Sequence, residues 1–266
     1  MLKQRIITAL MISLPLVAIL FLMPPLFSIG LFALIVMLGA WEWSGFLSLK
    51  SKWHQVMYVF FVFICLAGAW YYWRDPEYLP LVLQIALLWW VSALVWIKYF
   101  PIKQSSLLRA VAGCLTLIPA WIAIGCLVNL SPQWLLFMFL IVIATDVGGY
   151  LFGRRFGRTK LAPLVSPGKT WEGVIGGVSM SMLIIFAGAY WFDQPLLEFL
   201  TICLFTVVFS VVGDLTESLF KRHAALKDSG SILPGHGGVL DRIDSMTAAA
   251  PVFLYGLMYL GVFVPS

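Results

Sequence analysis

Apolar residues fall in nine long runs separated by short polar gaps, at roughly 6–24, 26–47, 55–73, 79–97, 108–128, 133–153, 171–192, 196–220 and 244–264. Each is close to the ~20 residues a helix needs to cross a bilayer, so the pattern predicts a bundle of transmembrane helices. The Lys and Arg residues test that count independently of hydropathy. Lys3 and Arg5 precede the first run, and Lys50 and Lys52 occupy the second gap. Lys98, Lys103 and Arg109 follow the fourth run; Arg154, Arg155, Arg158, Lys160 and Lys169 follow the sixth; Lys221, Arg222, Lys227 and Arg242 follow the eighth. Sixteen of the seventeen basic residues thus fall on one side, and the other keeps only Arg74, beside Asp75, Glu77 and Asp193. One span more or fewer would scramble the alternation. The expected architecture is an all-α polytopic membrane protein of nine spans, N-terminus cytoplasmic and C-terminus outside.

Composition narrows the class further. The 266 residues are 62% hydrophobic and 11% charged, with a mean hydropathy of +0.98, against about 45–50% and about 25% in soluble domains. No room is left for a large soluble domain, and disorder, collagen, disulfide scaffolds and coiled coils are excluded. Cys65, Cys114, Cys126 and Cys203 each lie inside an apolar run, none at metal-ligand spacing, and read as small lipid- or core-facing residues. Lys3, Arg5 and the apolar stretch from Ile6 resemble a signal peptide, but without a small-residue cleavage site a retained first span is expected. The first five runs carry little chemistry. Trp70, Tyr71, Tyr72, Trp73, Trp89, Trp90 and Trp96 suit interfacial belts, and Glu42, between Trp41 and Trp43, reads as a snorkelling or interfacial acid.

Polar chemistry gathers in the second half, on the basic side. In a helix, Asp214, Glu217, Ser218, Lys221 and Arg222 share one face. Asp214 lies a turn inside an apolar run, where an unpaired charge costs several kcal/mol; Lys221 or a metal ion is the expected compensation. The loop from Lys227 and Asp228 to His236, Gly237 and Gly238 is too rich in glycine for a regular element, and its free amides suit phosphate oxygens. Asp241 and Asp244 then share a face where the ninth run begins. Two acids at a helix N-terminus favour the dipole, but with Asp214 at the same depth they read as an oxygen-ligand site for a hard cation; no Cys/His cluster argues for zinc.

The sixth gap supplies counter-charge. Asp146 is another intramembrane acid, and Gly149 and Gly153 have the small-xxx-small spacing of close helix packing. Ser166-Pro167-Gly168-Lys169-Thr170 is not a Walker loop, because Pro163 stands where the first glycine belongs and no strand precedes it. A helix N-terminus near Thr170 with Lys169 beside it still makes an anion site. Acids, bases and glycine loops at the mouth of a lipid-immersed bundle point to membrane-bound phosphoryl or nucleotidyl transfer, with the nucleotide left open.

Ser218 to Arg222, Lys227-Asp228 and His236 to Asp244 together resemble the signature of the phosphatidate cytidylyltransferase (CDP-diacylglycerol synthase) family. The pattern S-x-x-K-R-x(4)-K-D-x-[GSA]-x-x-[LIF]-[PGS]-x-H-G-G-x-x-D-R-x-D is met throughout its 27 residues. Asp146-x-x-x-Tyr150 and Ser166-Pro167-x-Lys169-Thr170-x-Glu172-Gly173 are similar to the family too; the rest of the chain resembles it by topology only. The resemblance implies transfer of CMP from CTP to phosphatidate, with release of pyrophosphate. It implies Mg²⁺ held by Asp214, Asp241 and Asp244, and a second cation, K⁺, completed by Ser218. Lys169, Lys221, Arg222 and Lys227 would contact phosphates, with His236 and Gly237 supporting the loop. Asp146, Ser166 and Glu172 would shape the nucleotide pocket, and Thr170, Asp228, Gly238 and Arg242 complete the expected substrate-binding set. CTP, phosphatidate from the bilayer and membrane lipids are the expected partners, with a homodimer and no nucleic acid. The expected location is the bacterial inner (plasma) membrane with the site facing the cytoplasm. Residues 1–130 would form a scaffold contributing dimer or lipid contacts, and 131–266 the catalytic part. The rival readings are a CTP-dependent polyprenol kinase, a cytidylyltransferase for another lipid phosphate and, from another class, a transporter, which would instead place polar residues at mid-membrane in several spans.

Overall fold

The computed structural model describes residues 14–49, 51–72, 75–232 and 237–265. The start of the first run with Lys3 and Arg5, and also Lys50, Trp73, Arg74 and His236, lie outside the described residues. The described part of the first run is helical over 14–22 (α1). Eight further helices follow: α2 (Pro25–Phe46), α3 (Lys52–Tyr72), α4 (Tyr78–Lys98), α5 (Ser106–Leu130), α6 (Pro132–Phe156), α7 (Trp171–Trp191), α8 (Leu196–His223) and α9 (Leu240–Tyr259). Their ends agree with the apolar runs to within about a turn. Seven of them, α2 to α8, are long and apolar enough to cross a membrane. The chain is an α-helical integral membrane protein.

α9 falls below that apolarity for a physical reason. Asp241, Arg242 and Asp244 open it, while Ala248, Ala249, Ala250, Phe253, Leu254 and Leu257 are fully buried. A helix enclosed by α5 and α8 has little contact with lipid and does not need an apolar exterior. At the periphery α3 buries only Tyr58, Val62 and Leu66, one stripe at four-residue spacing, and turns Phe60, Phe61 and Ile64 outward.

Lipid tails are as apolar as Leu, so helix association in a bilayer depends on close packing rather than on escape from water. The α6–α7 seam meets this demand with glycine. A Cβ on Gly173 would lie 2.8 Å from the Gly149 carbonyl oxygen, and one on Gly177 would lie 2.7 Å from that of Thr145. The expected pair is only partly the seam: at Gly149 a Cβ would make an ordinary 3.8 Å contact, whereas the neighbouring Gly148 would meet the Gly176 carbonyl oxygen at 2.6 Å.

Two expectations about the first half are corrected. Trp89 and Trp90 are buried rather than interfacial; the Trp89 indole N–H donates to Thr116 Oγ1 at 3.1 Å, and Trp96 packs edge-on against Phe220. Trp70, Tyr71 and Tyr72 remain exposed, as a belt requires. Glu42 does not snorkel: it is 4% exposed and its carboxylate turns inward. An addition to the expected all-α fold is a two-stranded antiparallel hairpin between α6 and α7, β1 (Lys160–Ala162) and β2 (Ser166–Thr170), pairing Lys160 with Thr170 and Ala162 with Ser166.

Gly177→Ala is expected to destabilise the protein by about 1–3 kcal/mol through overpacking of the seam, read as a lower unfolding midpoint in detergent. Gly30→Ala, where a Cβ meets nothing within 4 Å, is expected to leave the midpoint unchanged or higher.

Candidate active site

Four elements converge where the hairpin meets the bundle. Asp146, Tyr150 and Arg154 follow one another at four-residue intervals and so share a face of α6. β2 contributes Ser166, Lys169 and Thr170, α7 its first turn, and α8 Val211 and Asp214. Together they line a cavity of about 470 Å³, within the range of small-ligand pockets. Its mouth carries Arg154, whose guanidinium donates to the Tyr150 hydroxyl at 2.9 Å.

The hairpin is held so that Lys169 reaches inward. Thr170 caps α7, its hydroxyl accepting from Gly173 N at 3.1 Å, which confirms the helix start read from the sequence. Glu172 accepts from the amides of Arg158 and Thr159 at 3.1 Å, and Arg222 Nε donates to the Val165 carbonyl at 3.2 Å. In this structure both brace the hairpin: Glu172 is absent from the cavity lining, and Arg222 is engaged by backbone. The braced strand sets Lys169 Nζ 2.5 Å from Asp214 Oδ2. The counter-charge of Asp214 is therefore Lys169 rather than Lys221.

Lys221 is committed elsewhere. Its Nζ lies 2.6 Å from Asp241 Oδ1 and 3.4 Å from Glu217 Oε1, with its side chain 11% exposed. Asp241 Oδ2 accepts from the amides of Ser229 and Gly238 at 2.9 and 2.8 Å. Gly237, at φ +80°, passes so close that a Cβ there would lie 2.7 Å from the same oxygen. Asp241 therefore locks the glycine loop, and Lys221 is not open to a phosphate in this arrangement.

Asp244 belongs with Asp214. At Gly213 α8 comes so near α9 that a Cβ would sit 2.5 Å from the Asp244 carbonyl oxygen. Asp244 consequently feels the charges of Asp214 and Asp146 and shares a hydrogen bond with Glu217. Neither Asp146 nor Asp244 makes a salt bridge among the described residues, and buried Glu217 faces Lys221 at 3.4 Å through Oε1. Ser218 Oγ donates to Asp214 Oδ1 at 3.5 Å. Lys227, Asp228 and Arg242 are exposed, and His236 lies outside the described residues.

Three residues went unassigned from sequence. Arg154 and Tyr150 were signalled by their four-residue spacing from Asp146. Glu217 sits three residues beyond Asp214 on the face already marked.

Residues 3–260 match the Cytidylyltransferase family. The chain belongs to this family. It is 37% identical over 287 residues to the phosphatidate cytidylyltransferase of Haemophilus influenzae, covering 96% of this chain and 98% of that protein. With the enzyme of that name from Pseudomonas aeruginosa it shares 41% over 266 residues, covering 95% and 96%. The Staphylococcus aureus protein of that name shares 48% over 122 residues, covering 45% of this chain and 47% of that one.

For a cytidylyltransferase the donor chemistry bears on a metal ion. Asp241 spends both oxygens on Lys221 and two loop amides; Asp214, whose ion-pair partner is the partly exposed Lys169, and Asp244, which has no ion pair among the described residues, are the carboxylates that suit a hard cation. Among the described residues no three His, Cys, Asp or Glu side chains form a metal cage. The expected trio is thus divided: Asp241 locks the glycine loop, while Asp214, paired with Lys169, stands beside Asp244.

The division is testable by stability alone. Asp241→Ala leaves Lys221 in a buried site with only Glu217, and should cost about 3–5 kcal/mol, visible as a lower unfolding midpoint. Asp244→Asn removes one charge from a cluster of acids and should leave the midpoint unchanged or raised.

Proposed function

We propose that the protein transfers the CMP moiety of CTP to phosphatidate, forming CDP-diacylglycerol and pyrophosphate. The observation that carries the reading is the cavity holding the Lys169–Asp214 pair and Asp146 between α6, α7, α8 and the hairpin. It combines cations for phosphates with carboxylates for a hard cation, among helices that a lipid substrate can approach. Relatives that align along nearly their whole length are named for this reaction.

The chemistry asks little of a general base. A phosphate oxygen of phosphatidate is anionic at neutral pH and attacks the α-phosphorus of CTP. The new P–O bond forms as the bond to the β-phosphate oxygen breaks, and pyrophosphate leaves with the electron pair. Catalysis then rests on in-line positioning and on neutralising the charge that develops. Lys169 and Arg154 would contact the triphosphate, with Ser166 and Thr170 lining the same cavity. Asp214 and Asp244 would hold Mg²⁺, which would supply neutralisation of phosphate charge; Ser218, beside Asp214, would serve a second cation, K⁺.

The topology we propose has nine spans, with α1 and α9 added to the seven apolar helices, the N-terminus cytoplasmic and the C-terminus outside. The one-sided distribution of Lys and Arg supports it. The site then faces the cytoplasm, where CTP is found, from the bacterial inner membrane. A homodimer, with residues 1–130 as scaffold, is part of the same proposal.

Purified protein in detergent, given labelled CTP and phosphatidate, is expected to form labelled CDP-lipid and pyrophosphate only with Mg²⁺. Lys169→Ala should lower kcat/KM by about 10²–10³-fold, and Asp244→Asn should abolish turnover. Turnover with a polyprenol or another lipid phosphate in place of phosphatidate would transfer the reading to those substrates. Alkaline phosphatase fused after residue 266 is expected to be active, and fused at residue 51 inactive; the reverse result would invert the topology.

A further inference from the structure

The N-terminus of α9 has no cap of its own. Its N-cap residue is Val239, which has no side-chain oxygen, yet the first amides of a helix need acceptors. The acceptor comes from α2, nearly 200 positions away in the chain. Glu42 Oε1 accepts from Val239 N at 2.9 Å, and Oε2 accepts from Leu240 N at 2.7 Å. A carboxylate there also meets the positive end of the helix dipole. Oε2 accepts again from Ser229 Oγ at 2.9 Å, so Glu42 joins both ends of the glycine loop.

Glycine makes this approach possible. A Cβ on Gly230 would lie 2.5 Å from Glu42 Oε1, and one on Gly238 would collide with Glu42 Oε2 and Ser229 Oγ. Ser229 stands between two carboxylates, its hydroxyl 3.0 Å from Asp241 Oδ2, and shares its single hydrogen with them. Residues 229–230 and 237–240 are thus pinned from two sides, by Glu42 and by Asp241 with Lys221.

We infer that Glu42 is a positioning residue of the active site: a buried carboxylate from the first half of the chain that fixes both ends of the glycine loop and the first turn of α9. Asp244 lies one turn beyond Leu240, against Gly213 of α8, so Glu42 sets where Asp244 stands relative to Asp214 without touching substrate. The activity readout rests on the CTP-to-phosphatidate reading; the structural readout does not.

The test uses full-length protein in detergent with Glu42→Gln, Ser229→Ala and the double variant. The glutamine amide would present a donor to a donor. In Glu42→Gln, hydrogen-exchange protection of amides 238–245 is expected to fall at least about tenfold, with α6 and α7 unchanged. Its kcat should fall about 10- to 100-fold, as when an outer partner of a reactive group is removed, while KM for phosphatidate holds. Ser229→Ala should show a smaller effect in the same segment, and the double variant should fall short of the product of the two single effects, because the two residues share the Ser229–Glu42 hydrogen bond. Unchanged kcat in Glu42→Gln, protection lost evenly from α2 to α9, or multiplicative effects in the double variant would each overturn the inference. Wild-type protein inactive on CTP and phosphatidate would sink the substrate reading alone, and the exchange comparison would still decide the role of Glu42.

Discussion

A carboxylate carried into a bundle of apolar helices must find compensation, and the second half of this protein is organised around how that happens. Glu42 is satisfied by backbone amides at a helix N-terminus and by a hydroxyl. Asp241 is satisfied by Lys221 and two loop amides. Asp214 has Lys169, delivered by a hairpin that Glu172 and Arg222 brace. Asp146 and Asp244 have no such ion pair among the described residues. Leaving acids uncompensated in a low-dielectric site costs several kcal/mol, a cost that a bound cation and a polyphosphate substrate can relieve together. Glu42 and Asp241 build the frame, while Asp214, held only by Lys169, stands beside Asp146 and Asp244.

Close backbone approach is the second requirement, and glycine provides it at each junction. Gly173 and Gly177 bring α7 onto α6, which places Lys169 and Thr170 over the face of Asp146 and Tyr150. Gly213 brings α8 onto α9 and sets Asp214 beside Asp244. Gly230 and Gly238 let the loop lie directly on Glu42. Each contact brings together polar side chains from elements distant in the chain, which the helices' apolar faces alone would not specify, since Leu against Leu differs little from Leu against lipid.

Lys169 and Asp214 close on each other in this structure, and a triphosphate entering the cavity would compete for the same ammonium. The opening between helix ends suits a reaction in which one substrate is dissolved in water and the other in the bilayer.

Much of the architecture was legible from the chain. Helix positions followed from runs of apolar residues near the length of a span, and the basic side followed from where Lys and Arg interrupt them, because the bilayer imposes both rules locally. The capping role of Thr170 and the shared face of Asp214, Glu217 and Ser218 were readable for the same reason: each depends on residues within one or two turns. Pairing between distant elements was not. The sequence put Lys221 beside Asp214 on one helix face, but the fold hands Lys221 to Asp241 and brings Lys169 from a hairpin hidden in a basic gap. It grouped three aspartates by depth, and the structure turns one of them into a loop lock. It set Glu42 at the interface, whereas α2 carries it beneath the start of α9. Local periodicity determines which residues share a face; only the packing of helices decides which faces meet, because a buried charge accepts whatever partner the fold brings within hydrogen-bonding distance.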